Sequence, residues 1–321
     1  MYALFGGADF GGGIWTALAS GPRARQQRSS LFNAIGPVWE TNHIWVILVV
    51  VVLFVALPQA FAALFTALLV PLVVALIGIT FRGAAFAFRH YGEQTDRHLP
   101  ATVEVFALAS LLTPLAMGMA VAAVAAGRIH LVDSTVQAGM YSSWITWFSV
   151  MGGLIGVAIC AYLTPIYMTT RVTGPLRDDF RLRGIVASLV LGALTAFAIP
   201  VARADAPEFA ARLARPGPIA LVIAAVALGL VTLGALWQRR YTWSQVLAGG
   251  TIAATIGAFG AAMFPYLIIN QLTISAAAAS KAMLLTFLIA LPLGALILVP
   301  SLLLLYYTFR GQPNPQLPPQ G

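Results

Sequence analysis

The apolar residues of this chain form long runs that are separated by short polar breaks. Because a membrane-crossing helix needs about 20 predominantly apolar residues, each run is a candidate transmembrane helix. We identify nine runs, of which the first is rich in glycine and weak. They cover residues 1–18, 42–57, 60–80, 102–126, 144–168, 184–201, 219–237, 246–269 and 282–309. The pattern predicts an all-α, polytopic membrane protein with about nine transmembrane helices.

Two of the polar breaks carry structural signals of their own. Pro58 and the residue after it predict a tight turn between the second and third runs. The Asp205–Arg215 stretch predicts a short amphipathic helix, with Asp205 as its N-cap and with Phe209 and Leu213 on one face. We expect this helix to lie on the outer membrane surface.

The composition supports the membrane assignment. Apolar residues make up 60% of the chain and charged residues 9%, whereas soluble domains carry roughly 25% charged residues. Residues 311–321 are rich in proline and glutamine, so we expect a disordered tail after a single transmembrane domain over residues 1–310. The lone Cys160 excludes an internal disulfide and a cysteine metal site.

The distribution of positive charge predicts the orientation. The formal net charge is +8, but the arginines lie in the breaks between apolar runs. No cluster combines aromatic and basic residues on one polar face, which argues against nucleic-acid binding. Thirteen of the 18 basic residues fall on the side that holds the first break. Because cytoplasmic loops are enriched in Lys and Arg, this predicts an N-out, C-in topology. We expect the tryptophans near run ends to be interfacial anchors: Trp39, Trp45, Trp144, Trp147, Trp237 and Trp243.

Three acidic residues lie in or beside the apolar runs. A charge at the bilayer centre costs about 2.5–3.5 kcal/mol, so such residues usually face protein or water. Asp9 lies among glycines that would let another backbone approach closely, Glu40 opens the second run, and Glu104 lies near the start of the fourth. Pro37 would place Glu40 in the first helical turn, where the helix dipole favours a carboxylate. The acids are either part of a proton or cation path or helix-end residues at the headgroup level.

The histidines offer no haem site. His43 lies three residues after Glu40 on the same helix face, where it could pair with that acid. We expect His90, His98 and His130 to be solvated loop residues. No pair of His or Met residues has the spacing of buried haem ligands, so we do not expect this chain to bind haem or another metal.

Five segments, in order and along nearly the whole chain, resemble subunit II of the cytochrome bd-type quinol oxidases. They are GADFGGG at residues 7–13, NAIGPVWETNHIW at 33–45, FRGAAFAFR at 81–89, TRVTGPLRDDFRLR at 170–183 and AAMFPYLI at 261–268. Each segment alone would be a weak signal. Their common order on a series of apolar runs makes the resemblance specific.

This resemblance implies a complex in the bacterial plasma membrane that oxidises a quinol, ubiquinol or menaquinol, and reduces dioxygen to water in an electrogenic reaction. Subunit I would carry two b-type haems, one d-type haem and the quinol site. The present chain would be its haem-free partner, needed for assembly and for a cytoplasmic proton route, with no activity alone. A small third subunit and a structural quinone or lipid are compatible with the family.

The resemblance also assigns particular residues. Asp9 falls on the aspartate of the family's glycine-rich motif, and Glu40 falls on the acid of its PxWDGN motif. Trp39, Asn42 and Trp45 match neighbours of that acid. These positions are therefore candidates for the proton path and for the motif that surrounds it, with Glu104 as a weaker third acid.

The chain departs from the family pattern at several positions. Glu40 replaces the usual aspartate, and Thr41 replaces the usual glycine. The segment that contains Arg82, a motif or interface residue, has Ala87 where the family usually has an acid. Only eight residues precede Asp9, fewer than in most members, so we expect that the natural chain starts upstream of Met1.

Two other functions fit the residues when they are taken alone. A proton-coupled secondary transporter would also need intramembrane acids, but such folds often show inverted repeats with matching broken helices, and none is visible here. A purely structural membrane partner would use the acids only as helix caps. Haem absorbance from a co-purifying subunit would favour the oxidase over the transporter.

Overall fold

The computed structural model describes residues 2–35, 39–94, 100–132, 135–137, 139 and 141–309. Within these ranges the chain is a bundle of α-helices with two small antiparallel hairpins. The helices are α1 Tyr2–Ala17, α2 Ala24–Ile35, α3 Trp39–Ala56, α4 Pro58–Ala67, α5 Leu69–Gln94, α6 Pro100–Ala123, α7 Trp147–Arg171, α8 Gly174–Asp205, α9 Pro207–Leu213, α10 Pro216–Trp237, α11 Tyr241–Met263, α12 Ile274–Ala277 and α13 Lys281–Phe309. The hairpin strands are β1 His130–Val132, β2 Thr135–Gln137, β3 Tyr266–Ile268 and β4 Leu272–Thr273.

Seven of the described helices are long and apolar enough to cross a membrane. They are α5, α6, α7, α8, α10, α11 and α13. The apolar part of α3 is shorter, over Asn42–Ala56, and α1 has 16 residues. Helices satisfy their own backbone hydrogen bonds, which is a condition for crossing lipid. The all-α, polytopic class is therefore confirmed, while the count of nine stays a prediction.

The third apolar run is divided, and the predicted tight turn at Pro58 is wrong. Leu57 is the N-cap residue of α4, and Pro58 occupies the first helical position, where its missing N–H costs no hydrogen bond. Helix α4 ends at Ala67, and α5 begins at Leu69. The run therefore forms a short helix followed by a long one.

The predicted short helix after α8 exists, but its predicted N-cap is wrong. Asp205 ends α8, and the N-cap of α9 is Ala206. The Asp205 carboxylate instead binds Arg128 at 3.0 Å and accepts the Phe148 N–H at 2.9 Å. Phe209 is buried against Phe148. The location of α9 on the outer membrane surface stays a prediction.

Helix α7 lies at the centre of the bundle and packs against α1, α6, α8 and α11. Its contact with α6 is close. A Cβ atom at Gly118 would lie 2.4 Å from the carbonyl oxygen of Gly152, and one at Gly156 would lie 2.6 Å from that of Pro114. Small residues at such positions let two membrane helices approach closely. Gly118 and Gly156 therefore allow the short distance between α6 and α7.

Several sequence predictions fall on residues that the structure does not describe. They concern the prediction that Pro37 occupies a first helical turn, and those for His98 and for the tail at 311–321. The side chains of Trp39, Glu40 and His90 also lie outside the described part, although their backbones belong to helices. These predictions stay as they were stated.

Candidate functional site

A buried ion pair between α1 and α5 forms the centre of the candidate site. Arg82 of α5 is 1% exposed and is the largest fully buried side chain among the described residues. Its Nη2 atom lies 3.2 Å from Oδ1 of Asp9, which is itself 4% exposed. A buried charge is tolerated when an opposite charge and hydrogen bonds compensate it. The pair therefore lets two charged residues lie within the bundle.

The remaining contacts of Arg82 complete this compensation. Nη2 also donates a hydrogen bond to the Asp9 carbonyl oxygen at 3.0 Å, and Nε donates to Oγ of Ser110 at 3.1 Å. The guanidinium carbon lies 4.7 Å from the ring centre of Phe10 and 5.0 Å from that of Phe106. Aromatic faces attract cations. Three helices, α1, α5 and α6, thus meet at one guanidinium.

Asn42 connects this group to α3. Its Nδ2 donates to Oδ2 of Asp9 at 3.3 Å, and its side chain is buried. Helix α3 begins at Trp39, so Glu40 is its second residue and precedes Asn42 by two positions. His43 and Trp45 are partly buried. The helix turn that carries Glu40 therefore lies next to Asp9.

Glycines next to Asp9 allow this arrangement. A Cβ atom at Gly11 would lie 2.0 Å from the carbonyl oxygen of Cys160 on α7. One at Gly13 would lie 2.1 Å from Oγ of Ser110 on α6. The expectation that these glycines permit a close backbone approach is confirmed. Helix α1 can lie close to both α6 and α7 because Gly11 and Gly13 have no side chains at these two contacts.

The structure brings together Asp9, Asn42 and Arg82, but not Glu104. Glu104 is exposed on α6, and no hydrogen bond or ion pair of the described residues joins it to Asp9. The distribution of charge predicts that Arg82 lies in a break between apolar runs, and this prediction is wrong because Arg82 lies inside α5. A signal was present, since Arg82 is the first charged residue after a charge-free stretch that begins at Ile44. No feature of the sequence indicates that Ser110 is a hydrogen-bond partner of Arg82.

A second polar network joins α2 to α8. The Asp179 carboxylate accepts hydrogen bonds from Arg23 Nε at 2.7 Å and Nη2 at 2.5 Å, and from Gln27 Nε2 at 3.0 Å. Arg183 donates to Oε1 of Gln27 at 2.6 Å. The hydrogen bond to Asp179 raises the pKa of the Arg23 guanidinium. The motif segment at 170–183 therefore anchors the helix that follows α1.

Among the described residues, no three His, Cys, Asp or Glu side chains form a group that could hold a metal ion. In the described part of the chain, the group formed by Asp9, Arg82, Asn42 and Ser110 combines a carboxylate, a guanidinium, an amide and a hydroxyl. These four groups bind one another across α1, α3, α5 and α6.

Comparisons with known proteins agree with this architecture. Residues 1–309 match the family model described as cytochrome bd terminal oxidase subunit II. The chain is 25% identical over 275 residues to cytochrome bd ubiquinol oxidase subunit 2 of Bacillus subtilis, and the match covers 83% of this chain and 77% of that protein. It is 26% identical over 297 residues to cytochrome bd-I ubiquinol oxidase subunit 2 of Escherichia coli, with the same coverage.

A solved structure shows the same fold. It is the structure of bd oxidase from Geobacillus thermodenitrificans, with a TM-score of 0.78 and 21% sequence identity. The match covers 97% of this chain and 95% of the other. From the family match over residues 1–309, the chain belongs to the cytochrome bd terminal oxidase subunit II family.

Proposed function

We propose that this chain is the haem-free subunit II of a cytochrome bd-type quinol:dioxygen oxidoreductase in the bacterial plasma membrane. A partner subunit I carries two b-type haems, one d-type haem and the site for ubiquinol or menaquinol. This chain supports assembly and contributes to the proton path for reduction of oxygen to water. The family membership and the names of its relatives, which are oxidase subunits, support this proposal.

The proposal includes a single transmembrane domain with nine spans, in which α1 and α3 are short spans, and an N-out, C-in orientation. Two ion pairs support the proposal that successive breaks between helices lie on alternating sides of the membrane. Arg23, after α1, binds Asp179 near the start of α8, so these two breaks share one side. Arg128, after α6, binds Asp205 at the end of α8, as expected for the opposite side.

The observation that carries the proton path is the hydrogen bond between Asn42 and Asp9. It holds the first turns of α3, which include Glu40, against a buried charge pair. Because Arg82 compensates the charge of Asp9, we assign proton uptake to Glu40 and place Asp9 next along the same path. Glu104, exposed on α6, is a third and weaker candidate.

Substitution of Glu40 in the purified complex tests this assignment. We expect Glu40→Gln to lower the oxygen-reduction turnover by about tenfold or more, because a carboxylate that transfers protons is lost. The visible haem spectrum should stay unchanged, since no haem contact is removed. Glu104→Gln is the matched control and should reduce turnover less.

Two results would contradict the proposal at different levels. Unchanged turnover in Glu40→Gln would make Glu40 a helix cap and would leave the subunit assignment intact. A chain that purifies from its native membrane without any haem absorbance would overturn the subunit assignment, and solute-coupled proton transport by that chain would establish the transporter alternative.

A further inference from the structure

A groove of about 480 Å³ lies between α10 and α11, next to the turn that joins them. Val231, Gly234 and Leu247 form part of its wall, and almost all of the lining is apolar. Both helices are candidate membrane spans, and only 11% of the apolar window of α10 is buried by the described part of the chain, so this surface is left uncovered there.

The turn beside the groove carries an excess of positive charge. Four arginines surround it: Arg177, Arg181, Arg239 and Arg240. Asp178 lies 3.2 Å from Arg239 and 3.6 Å from Arg181. The adjacent carboxylate, Asp179, is bound by Arg23. Asp178 therefore pairs with two of the four guanidinium groups, those of Arg181 and Arg239.

Arg240 is the arginine that lines the groove itself. Its side chain is exposed, and among the described residues no carboxylate lies within ion-pair distance of it. Helix α11 begins at the next residue, so the positive end of its dipole adds to this charge. Trp243, 65% exposed, lines the same end of the groove, and tryptophan is enriched at membrane interfaces.

We propose that this groove binds an anionic phospholipid. One acyl chain lies along the apolar wall between α10 and α11, and the phosphate lies at Arg240. The apolar lining fits a hydrocarbon chain, while the uncompensated guanidinium fits a headgroup with net negative charge. A zwitterionic lipid is bound less well because its headgroup also carries a positive charge.

Native mass spectrometry of the delipidated complex tests the proposal. The complex is titrated with phosphatidylglycerol and, separately, with phosphatidylcholine of the same acyl chains. We expect phosphatidylglycerol to bind the complex more tightly. Arg240→Gln should weaken its binding roughly fivefold, which corresponds to about 1 kcal/mol per basic residue at a membrane surface.

Two further variants separate the headgroup from the acyl chain. Gly234→Leu should reduce the binding of both lipids, because it fills the groove while a Cβ atom at this position meets no other atom. Arg215→Gln, at the other end of α10, is the matched charge control and should change neither affinity. Equal affinity of the parent complex and Arg240→Gln for phosphatidylglycerol, or equal affinity of the parent for both lipids, would overturn the proposal.

Discussion

Helices α1 and α13 differ in how far they are buried, and the difference is the opposite of what their hydrophobicity suggests. Helix α1 is short and contains glycines and an aspartate, yet every residue from Asp9 to Thr16 is buried. Helix α13 has 29 residues, nearly all apolar, yet none of its described side chains is buried. The more apolar helix is therefore the more exposed one.

The comparison shows what drives packing in this chain. Lipid tails are as apolar as leucine, so burial of leucine against protein gains little over burial in lipid. Close backbone approach and compensated polar groups distinguish protein neighbours from lipid. Helix α1 offers both, through Gly11, Gly13 and Asp9, and α13 offers neither in the part that the structure describes.

The largest loss of stability is expected when the charge of Arg82 is removed. We expect Arg82→Gln to destabilise the complex by about 3–5 kcal/mol, because Asp9 is left as a buried and uncompensated charge. Denaturation of the complex in mixed micelles measures this loss. The double variant Asp9→Asn with Arg82→Gln should recover much of the stability, and a double variant as unstable as Arg82→Gln would show that the ion pair is not the cause.

A pair of leucines tests the same contrast without charge. Leu163 of α7 is 0% exposed, and we expect Leu163→Ala to cost about 2–5 kcal/mol because it leaves a cavity in the bundle. Leu296 of α13 is 71% exposed, and Leu296→Ala should change stability by less than about 0.5 kcal/mol. Equal losses in the denaturation assay would show that protein covers α13 in the complex.

The smallest expected loss of stability comes from the substitution of a glycine in α1. Gly11→Ala places a Cβ atom against the backbone of Cys160, so α1 must move away from α7 at a cost of about 1–3 kcal/mol. Gly294→Ala in α13 meets no other atom and should be neutral or stabilising by up to about 1 kcal/mol, because alanine favours the helix. Denaturation midpoints compare the two, and an equal tolerance of both substitutions would contradict the close approach of α1.

The sequence was sufficient for most of the long helices and for part of the site. Apolar length predicts most spans directly, and the glycines around Asp9 predict a close helix contact. The burial of Arg82 could not be predicted by counting charges, because that method assigns an arginine at the end of an apolar run to a loop. Ser110 gave no signal, since a serine in an apolar helix usually binds its own backbone. Only the packing of three helices reveals its role as a partner of Arg82.

The ion pair between Asp9 and Arg82 also imposes an order on biosynthesis. The two residues are 73 positions apart in the chain. At roughly 5–20 residues per second, the ribosome needs on the order of 4–15 s to reach Arg82 after Asp9. During that interval, insertion of α1 alone would bury an isolated carboxylate at a cost of about 2.5–3.5 kcal/mol. If α1 is a span, as predicted, we expect its stable insertion to depend on the synthesis of α5.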